Sequence, residues 1–246
     1  MSLEITHLVG GYAGFTVIKD LNLNIAPGET LGLIGLNGAG KSTTIKHILG
    51  LLPTRQGRIA LNERTLADDP TAFKRQLAYI PETPILYPEL TLKEHLQLTM
   101  LSYGLAEAEA WPKAQNLLTQ FRLADKLDWL PSHFSKGMQQ KVMIVCAFLA
   151  DTPLLIIDEP FTGLDPLAVT RLIALIEVAK AAGKMILMTT HVLAQAQRVI
   201  SKYAVLNQGI IAVVGSLAEI RKHYGLAPTD SFDLLYEQLS QEQMHG

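Results

Sequence analysis

The chain has 246 residues, of which 48% are hydrophobic, and its formal net charge is −2 at pH 7. This size suffices for one large core or two modest ones, while the near-neutral charge excludes a globally basic surface for nucleic acid. The longest uncharged apolar run, Val142 to Ala150, is far shorter than the roughly 20 residues of a membrane span. Cys146 is the single cysteine, and Met1 to Glu4 lack the basic start of a secretion signal. We therefore expect a soluble protein in a reducing cytoplasm.

The first thirty residues are typical of β-strands. Apolar residues from Leu3 to Val9 predict an edge strand, and the alternation from Val17 to Ile25 predicts a half-buried antiparallel strand. Between them, Gly10 to Phe15 predicts a flexible turn that carries Tyr12. An aromatic ring there could stack on adenine, because a flat amphipathic side chain suits a flat base. Taken alone, Tyr12 is better explained as an ordinary turn tyrosine.

Residues Gly35 to Thr43 fit the phosphate-binding pattern G-x-x-x-x-G-K-[ST]. The apolar run Thr30 to Ile34 predicts a buried parallel strand before this loop, and Lys41 to Leu49 predicts a helix after it. Glycines permit a tight loop whose backbone N–H groups, together with the helix dipole, form an anion site. Lys41 could then neutralise β- and γ-phosphate charge, and Ser42 could offer its hydroxyl to Mg²⁺. The predicted nucleotide contacts in the loop are Asn37, Gly38, Ala39, Gly40, Lys41, Ser42 and Thr43.

The alternative for this loop is a glycine-rich turn in a dehydrogenase-like βα unit. That class of turn also binds phosphate through glycines, but it does not require a lysine followed by a hydroxyl residue. The pair Lys41 and Ser42 therefore favours the P-loop interpretation.

The chain from residue 84 to residue 150 is predicted to be an all-helical insertion. A strand over Leu77 to Ile80 comes before it, and Glu82 follows that strand closely. From Thr91 onwards the apolar residues recur at helical spacing, and Thr91 with Glu94 forms a capping box.

The last helix of this insertion is predicted over Lys136 to Ala150, with Ser135 as its N-cap. Ser135 and Gly137 could meet an anion at that helix start. Alone, they indicate only a helix cap.

The run Leu154 to Ile157 predicts a buried strand whose C-terminal end carries Asp158 and Glu159. Ligands of α/β sheets bind at such strand ends. Asp158 could hold the hydration shell of Mg²⁺, and Glu159 could orient or deprotonate water. A pair of helix-capping acids is the alternative, and the P-loop makes it the weaker one.

Further turn and strand signals follow. Gly163 to Pro166 predicts a turn into a helix, and Lys184 to Met188 predicts another buried strand with His191 near its end. Alone, His191 is more typical of a helix start, but at the end of a core strand it is a candidate γ-phosphate contact. Tyr203 to Asn207 and Ile210 to Val214 predict a hairpin, and two helices complete the chain.

The order of these motifs resembles the nucleotide-binding subunits of ABC transporters over nearly the whole chain. The resemblance implies an ABC ATPase fold of the α/β class: a P-loop NTPase (RecA-like) core with an N-terminal antiparallel β subdomain and an all-helical insertion. It implies a single domain over residues 1–246. Within this domain, 1–83 and 151–215 form the catalytic core, 84–150 the helical subdomain and 216–246 the C-terminal helices.

The same resemblance implies a role for each motif. Tyr12 corresponds to the A-loop aromatic, and Gly35 to Thr43 to the Walker A loop. The signature motif corresponds to Phe134 to Gln140, the Walker B aspartate to Asp158 and the catalytic glutamate to Glu159. The D-loop corresponds to Gly163 to Asp165, and the switch histidine to His191. By this resemblance Lys41, Glu159 and His191 are catalytic, and Asp165 contacts nucleotide.

Two positions depart from the common pattern of that family. The Q-loop position is Glu82 instead of glutamine, and its carboxylate can still reach nucleotide, Mg²⁺ or water. The signature reads Phe-Ser-Lys-Gly-Met, which keeps Ser135 and Gly137 but has Lys136 where glycine is commoner. Both variants are typical of the exporter-type branch with separate membrane subunits. The motifs around them resemble most the Ecs-type transporters of Gram-positive bacteria.

The resemblance further implies an ATPase that uses ATP and Mg²⁺, with Ser42, Asp158 and Glu82 as metal contacts. Two ATP molecules would be sandwiched between two copies of the chain. Ser135 and Gly137 of each copy would then complete the site of the other.

The resemblance also implies that the segment from Glu82 to Tyr103 docks the membrane subunit. Packing in the core of the helical insertion explains the apolar residues of this segment about equally well. The protein would lie on the cytoplasmic face of the cell membrane as a peripheral subunit, with no nucleic-acid partner.

Two other functions compete with this one. A soluble ABC ATPase of the ribosome type would carry two cassettes, and one of the DNA type would carry long coiled coils, whereas this chain has one P-loop and no heptad run. An ATP sensor without hydrolysis is the second competitor, and Glu159 and His191 argue against it.

Overall fold

The computed structural model of the protein describes residues 1–190, 193–227, 229–230 and 232–245. Its strands are β1 (Leu3–Tyr12), β2 (Phe15–Ile25), β3 (Thr30–Ile34), β4 (Gln56–Leu61), β5 (Arg64–Thr65), β6 (Leu77–Ile80), β7 (Leu154–Asp158), β8 (Met185–Thr189), β9 (Lys202–Asn207) and β10 (Ile210–Gly215). Its helices are α1 (Lys41–Ile48), α2 (Pro70–Lys74), α3 (Leu92–Tyr103), α4 (Glu107–Gln120), α5 (Lys136–Leu149), α6 (Pro166–Ala181), α7 (Leu193–Ala196), α8 (Leu217–His223) and α9 (Phe232–His245).

A four-stranded antiparallel sheet in the order β2-β1-β4-β5 contains the N-terminal strands. The prediction that β1 is an edge strand is wrong, because β1 pairs with β2 on one side and with β4 on the other. Register shifts within β1 interrupt the alternation of buried and exposed side chains along the strand. Its sequence therefore resembles that of an edge strand. The predicted turn is also shorter than expected, since only Ala13 and Gly14 separate β1 from β2.

A six-stranded sheet in the order β10-β9-β3-β8-β7-β6 forms the second layer. Its strands from β9 to β6 pair in parallel, and β10 pairs antiparallel with β9 in the predicted hairpin. Strands β3, β7 and β8 are buried at every residue, as expected for parallel strands covered on both faces. The parallel pairing brings the carboxyl ends of β3, β8, β7 and β6 to one edge of the sheet.

Residues 84–150 contain helices and no strand, as predicted. Thr91 and Glu94 form the predicted capping box at the start of α3, and Ser135 caps α5. Helix α5 packs against α3 and α4 and also against β6. One hydrophobic cluster therefore runs from the helical region into the sheet core, and the boundary of the helical subdomain stays a prediction.

The C-terminal part of the described chain carries α8 and α9, which match the two predicted terminal helices. Ser216 and Glu219 form a second capping box at the start of α8. Within the ranges given above, no helix is both long and apolar enough to cross a membrane.

Candidate active site

The P-loop connects the buried strand β3 to helix α1. Gly40, the N-cap of α1, has a φ of 113°, and a Cβ at this position would lie 2.7 Å from the Ile18 side chain. Glycine is required at this turn because other residues are strained there and lack space. The Lys41 ammonium donates hydrogen bonds to the carbonyl oxygens of Gly35 and Leu36, at 2.6 and 3.1 Å. The lysine thus lies over its own loop.

A cavity of about 510 Å³ opens at the edge of the sheet where these strands end. It is lined by Asn37, Gly38, Gly40, Lys41, Ser42, Thr43, Glu82, Asp158 and Glu159. The structure therefore brings the P-loop residues together with Glu82 after β6, Asp158 at the end of β7 and Glu159 after it. Ala39 is an exception among the loop residues, because its side chain is buried in the core beneath the loop.

The charges in this cavity are unbalanced. Burial lowers the pKa of the Lys41 ammonium below its ordinary value, although the carboxylates of Glu159, Asp158 and Glu82 partly oppose that shift. Three carboxylates and one lysine therefore line the cavity. Their net negative charge would repel a polyanion unless a further cation bound with it.

The donor set of the cavity fits Mg²⁺. Among the described residues no group of three or more His, Cys, Asp or Glu side chains could hold a metal by itself. Mg²⁺ usually binds through one or two carboxylates together with substrate phosphates and water. The carboxylate of Asp158 and the hydroxyl of Ser42 in one cavity match that pattern.

Two residues that the sequence did not single out orient Asp158. The Thr189 hydroxyl donates to one carboxylate oxygen of Asp158, and the Tyr79 hydroxyl donates to the other at 3.4 Å. Burial, followed by the charge of Asp158, raises the pKa of Tyr79 above its ordinary value, so the phenol stays a donor. The strands β6 and β8 flank β7, so the strand order would have pointed to both residues.

Glu159 has a left-handed backbone with a φ of 47°. Such a conformation in a residue other than glycine costs about 1–3 kcal/mol and is concentrated at functional sites. The Glu159 N–H donates to the Thr189 carbonyl oxygen at 3.1 Å, which holds this turn against β8. The side chain lies in the wall of the cavity.

Tyr12 lies at the end of β1 and contacts the P-loop helix. Its hydroxyl accepts a hydrogen bond from the Lys46 ammonium at 3.0 Å, and that ammonium lies 5.3 Å from the ring centroid. The hydrogen bond from Lys46 lowers the pKa of the Tyr12 phenol below its ordinary value. Tyr12 is 42% exposed and is therefore accessible to a ligand.

Helix α5, which Ser135 caps and which carries Gly137, contacts the turn that leads to Asp165. Ser135 accepts a hydrogen bond from the Met138 N–H at 3.3 Å, and a Cβ at Gly137 would lie 2.4 Å from the Gly163 carbonyl oxygen. Asp165 caps α6 and pairs with Lys141 of α5 at 2.5 Å. The hydrogen bond from Lys141 lowers the pKa of Asp165.

None of these three residues belongs to the cavity wall formed by the described part of the chain. His191, the remaining predicted site residue, lies outside the described residues.

Comparison with known proteins decides the family. The family model for ABC transporters matches residues 18–162. The chain belongs to the ABC transporter family. The ABC-type transporter ATP-binding protein EcsA of Bacillus subtilis (strain 168) is 48% identical over 98% of this chain and 97% of the relative. The uncharacterized ABC transporter ATP-binding protein YthP of the same organism is 40% identical over 94% of this chain and 95% of the relative.

A solved structure described as the ATP-binding subunit of an ABC transporter gives the same result. It has a TM-score of 0.93 at 51% sequence identity and covers 98% of this chain and 100% of that chain. The protein is thus an ABC transporter ATP-binding subunit and an ATPase. The predicted ABC ATPase fold and the resemblance to Ecs-type transporters are confirmed, and the ribosome or DNA alternative is not favoured.

Proposed function

We propose that this ABC ATPase binds MgATP in the cavity between the P-loop and the strand-end acids. The convergence of Lys41 and Ser42 with Asp158 and Glu159 in one cavity carries the proposal. The backbone N–H groups of the loop and the N-terminus of α1 bind the phosphates. Lys41 leaves its loop carbonyls and neutralises the β- and γ-phosphates. Tyr12 stacks on the adenine ring.

The Ser42 hydroxyl and the Asp158 carboxylate would hold Mg²⁺, and Glu82 in the same cavity wall is a further candidate contact. When bound, the ion supplies charge neutralisation at the phosphates. Thr189 and Tyr79 hold the Asp158 carboxylate in place through their hydrogen bonds. Hydrogen-bond partners of this kind fix the orientation of a metal ligand.

Glu159 acts as the base in hydrolysis. Its carboxylate accepts a proton from the water that attacks the γ-phosphorus, while the bond between that phosphorus and the ADP oxygen breaks. The strained backbone of Glu159 supports this role, because strain of this kind marks functional positions. His191 remains the proposed γ-phosphate contact.

A second copy of the chain completes the site. Ser135 is exposed and Gly137 half-exposed at the N-terminus of α5, and neither lies in the cavity wall of its own chain. A helix N-terminus with a serine is suited to an anion. We assign Ser135 and Gly137, with Asp165 beside them, to the γ-phosphate region of the partner's ATP in a homodimer.

The segment from Glu82 to Tyr103 docks the membrane subunit. Ile85 and Leu101 are 72% and 76% exposed, and Tyr87 is also exposed. Large apolar side chains this exposed suit a protein contact. The subunit then lies peripherally on the cytoplasmic face of the cell membrane.

The substitution Glu159→Gln tests the base. We expect ATP binding to persist while turnover falls at least about a hundredfold, because the amide cannot accept the proton from water. The exposed Glu237 of α9 provides the matched control, Glu237→Gln, which should keep wild-type turnover. Full ATPase activity of Glu159→Gln would refute the assignment.

A further inference from the structure

A buried side chain links the signature helix α5 to the Q-loop segment. The amide nitrogen of Gln140 donates a hydrogen bond to the carbonyl oxygen of Pro81 at 3.1 Å, across 59 residues of sequence. Gln140 is 3% exposed. A carbonyl oxygen only accepts hydrogen bonds, so the orientation of the amide is fixed by chemistry.

Pro81 lies between the end of β6 and Glu82. Strand β6 ends at Ile80, so the Pro81 carbonyl has left the strand ladder. Glu82 follows immediately and lines the nucleotide cavity. A donor that holds the Pro81 carbonyl therefore holds the backbone from which the Glu82 carboxylate projects.

The other end of the link is the start of α5. Gln140 lies five residues after Ser135, which is about 8 Å along a rigid helix at 1.5 Å per residue. The neighbouring Lys141 pairs with Asp165, so two adjacent residues of α5 contact the segments that follow β6 and β7. These two contacts connect α5 to both strand-end segments.

The amide of Gln140 is only half satisfied. Its oxygen is buried and has no hydrogen-bond partner among the described residues. A buried polar oxygen without a partner is destabilising and offsets what the single hydrogen bond contributes. Gln140 therefore contributes little to the free energy of unfolding. We attribute to its hydrogen bond with Pro81 the positioning of the segment that carries Glu82.

We propose that Gln140 is a positioning residue that couples the signature helix to Glu82. Closure of Ser135 on the partner's ATP moves α5, and Gln140 carries that movement through the Pro81 carbonyl to the Glu82 carboxylate in its own site. The inference rests on the proposed roles of Glu82 and Ser135, and it adds a residue that touches neither nucleotide.

The test combines Gln140→Met with Glu82→Ala in the full chain. Methionine has a similar size but lacks the donor, so we expect kcat to fall about tenfold through misplacement of Glu82, with KM for ATP unchanged within about twofold. In the Glu82→Ala background, Gln140→Met should cause no further loss, because residues that act through one another are not additive. The midpoint of thermal unfolding should stay within about 2 °C of wild type, because the methionine removes an unpartnered oxygen together with the hydrogen bond.

Gln120→Met provides the matched control. Gln120 ends α4, is half-buried and donates a hydrogen bond to Asn116 of its own helix, away from the cavity, so its loss should leave kcat unchanged. Wild-type kcat in Gln140→Met would overturn the coupling. So would a loss in kcat from Gln140→Met that is equally large in the wild-type and Glu82→Ala backgrounds. Wild-type turnover in Glu82→Ala would instead refute the proposed role of Glu82, which distinguishes the two failures.

Discussion

Thr189, the last residue of β8, donates its hydroxyl to the carboxylate of Asp158, the last residue of the neighbouring strand β7. Both residues are buried, and they pair directly in the strand register. The hydrogen bond leaves the other oxygen of Asp158 to Tyr79 and to the cavity. The sheet register itself thus orients the residue that we assign to Mg²⁺.

Removal of this hydroxyl should weaken the Mg²⁺ site. We expect Thr189→Val to raise the Mg²⁺ concentration for half-maximal ATPase activity by about 10–100-fold, the usual effect of removing a hydrogen-bond partner of a metal ligand. A titration of ATPase rate with Mg²⁺ at saturating ATP measures it. Thr152→Val is the control, because Thr152 is also buried but bonds the Leu154 carbonyl away from the cavity. An unchanged Mg²⁺ requirement in Thr189→Val would contradict the role of Asp158.

The signature glycine should not tolerate a side chain. An added Cβ at Gly137 would lie 2.4 Å from the Gly163 carbonyl oxygen, so Gly137→Ala must push the D-loop turn away from α5. Alanine otherwise stabilises the interior of a helix by about 1 kcal/mol relative to glycine. A loss of turnover in this variant therefore cannot be attributed to a weaker helix. We expect turnover to fall at least about tenfold, since we assign both segments to the γ-phosphate region of the partner's ATP.

A second glycine serves as the control for that experiment. Gly104 caps α3 with a φ of 68° and open space around its Cβ position. Gly104→Ala should lower the free energy of unfolding by about 1 kcal/mol through backbone strain and leave turnover unchanged. Wild-type turnover in Gly137→Ala would show that the contact with Gly163 is unimportant.

ATP affinity should fall as the pH rises through the alkaline range. Burial lowers the pKa of Lys41 below its ordinary value, and phosphate charge favours the protonated ammonium. Above the lowered pKa the free protein must take up a proton to bind ATP, so affinity drops by up to about tenfold per pH unit. Equilibrium binding of ATP between pH 7.5 and 10 measures this slope. Lys41→Met should remove it, and an unchanged slope in that variant would assign the titration to another group.

Much of the site could be predicted from the sequence because its residues follow local rules. The P-loop and the acids at the end of β7 are each specified by a short pattern at a strand end, and the capping box of Thr91 and Glu94 is read from nearby residues. The central position of β1, the partners of Asp158 and the contact between Gln140 and Pro81 depend on strand order and helix packing. Periodicity does not encode which distant segments become neighbours, so these features required the structure.

The docking surface can be tested without changing the nucleotide site. Ile85 is 72% exposed, and burying it in an interface would contribute about 2 kcal/mol. Ile85→Asp removes that contribution and adds a charge, so we expect at least about a tenfold loss of membrane subunit recovered with the tagged protein. Val178→Asp, on an apolar residue of α6 that is 68% exposed, should not alter the recovery. Equal losses in both variants would argue against a specific docking region.

The central claim is that each ATP site is built from two copies of this chain. Light scattering of the Glu159→Gln protein, with and without MgATP, tests it most directly. We expect a monomer without nucleotide, a dimer with MgATP, and a monomer under both conditions when Ser135→Arg is added, because the arginine blocks the signature helix N-terminus. A MgATP-dependent dimer that forms equally well with Ser135→Arg, or no dimer in Glu159→Gln at saturating MgATP, would contradict the account.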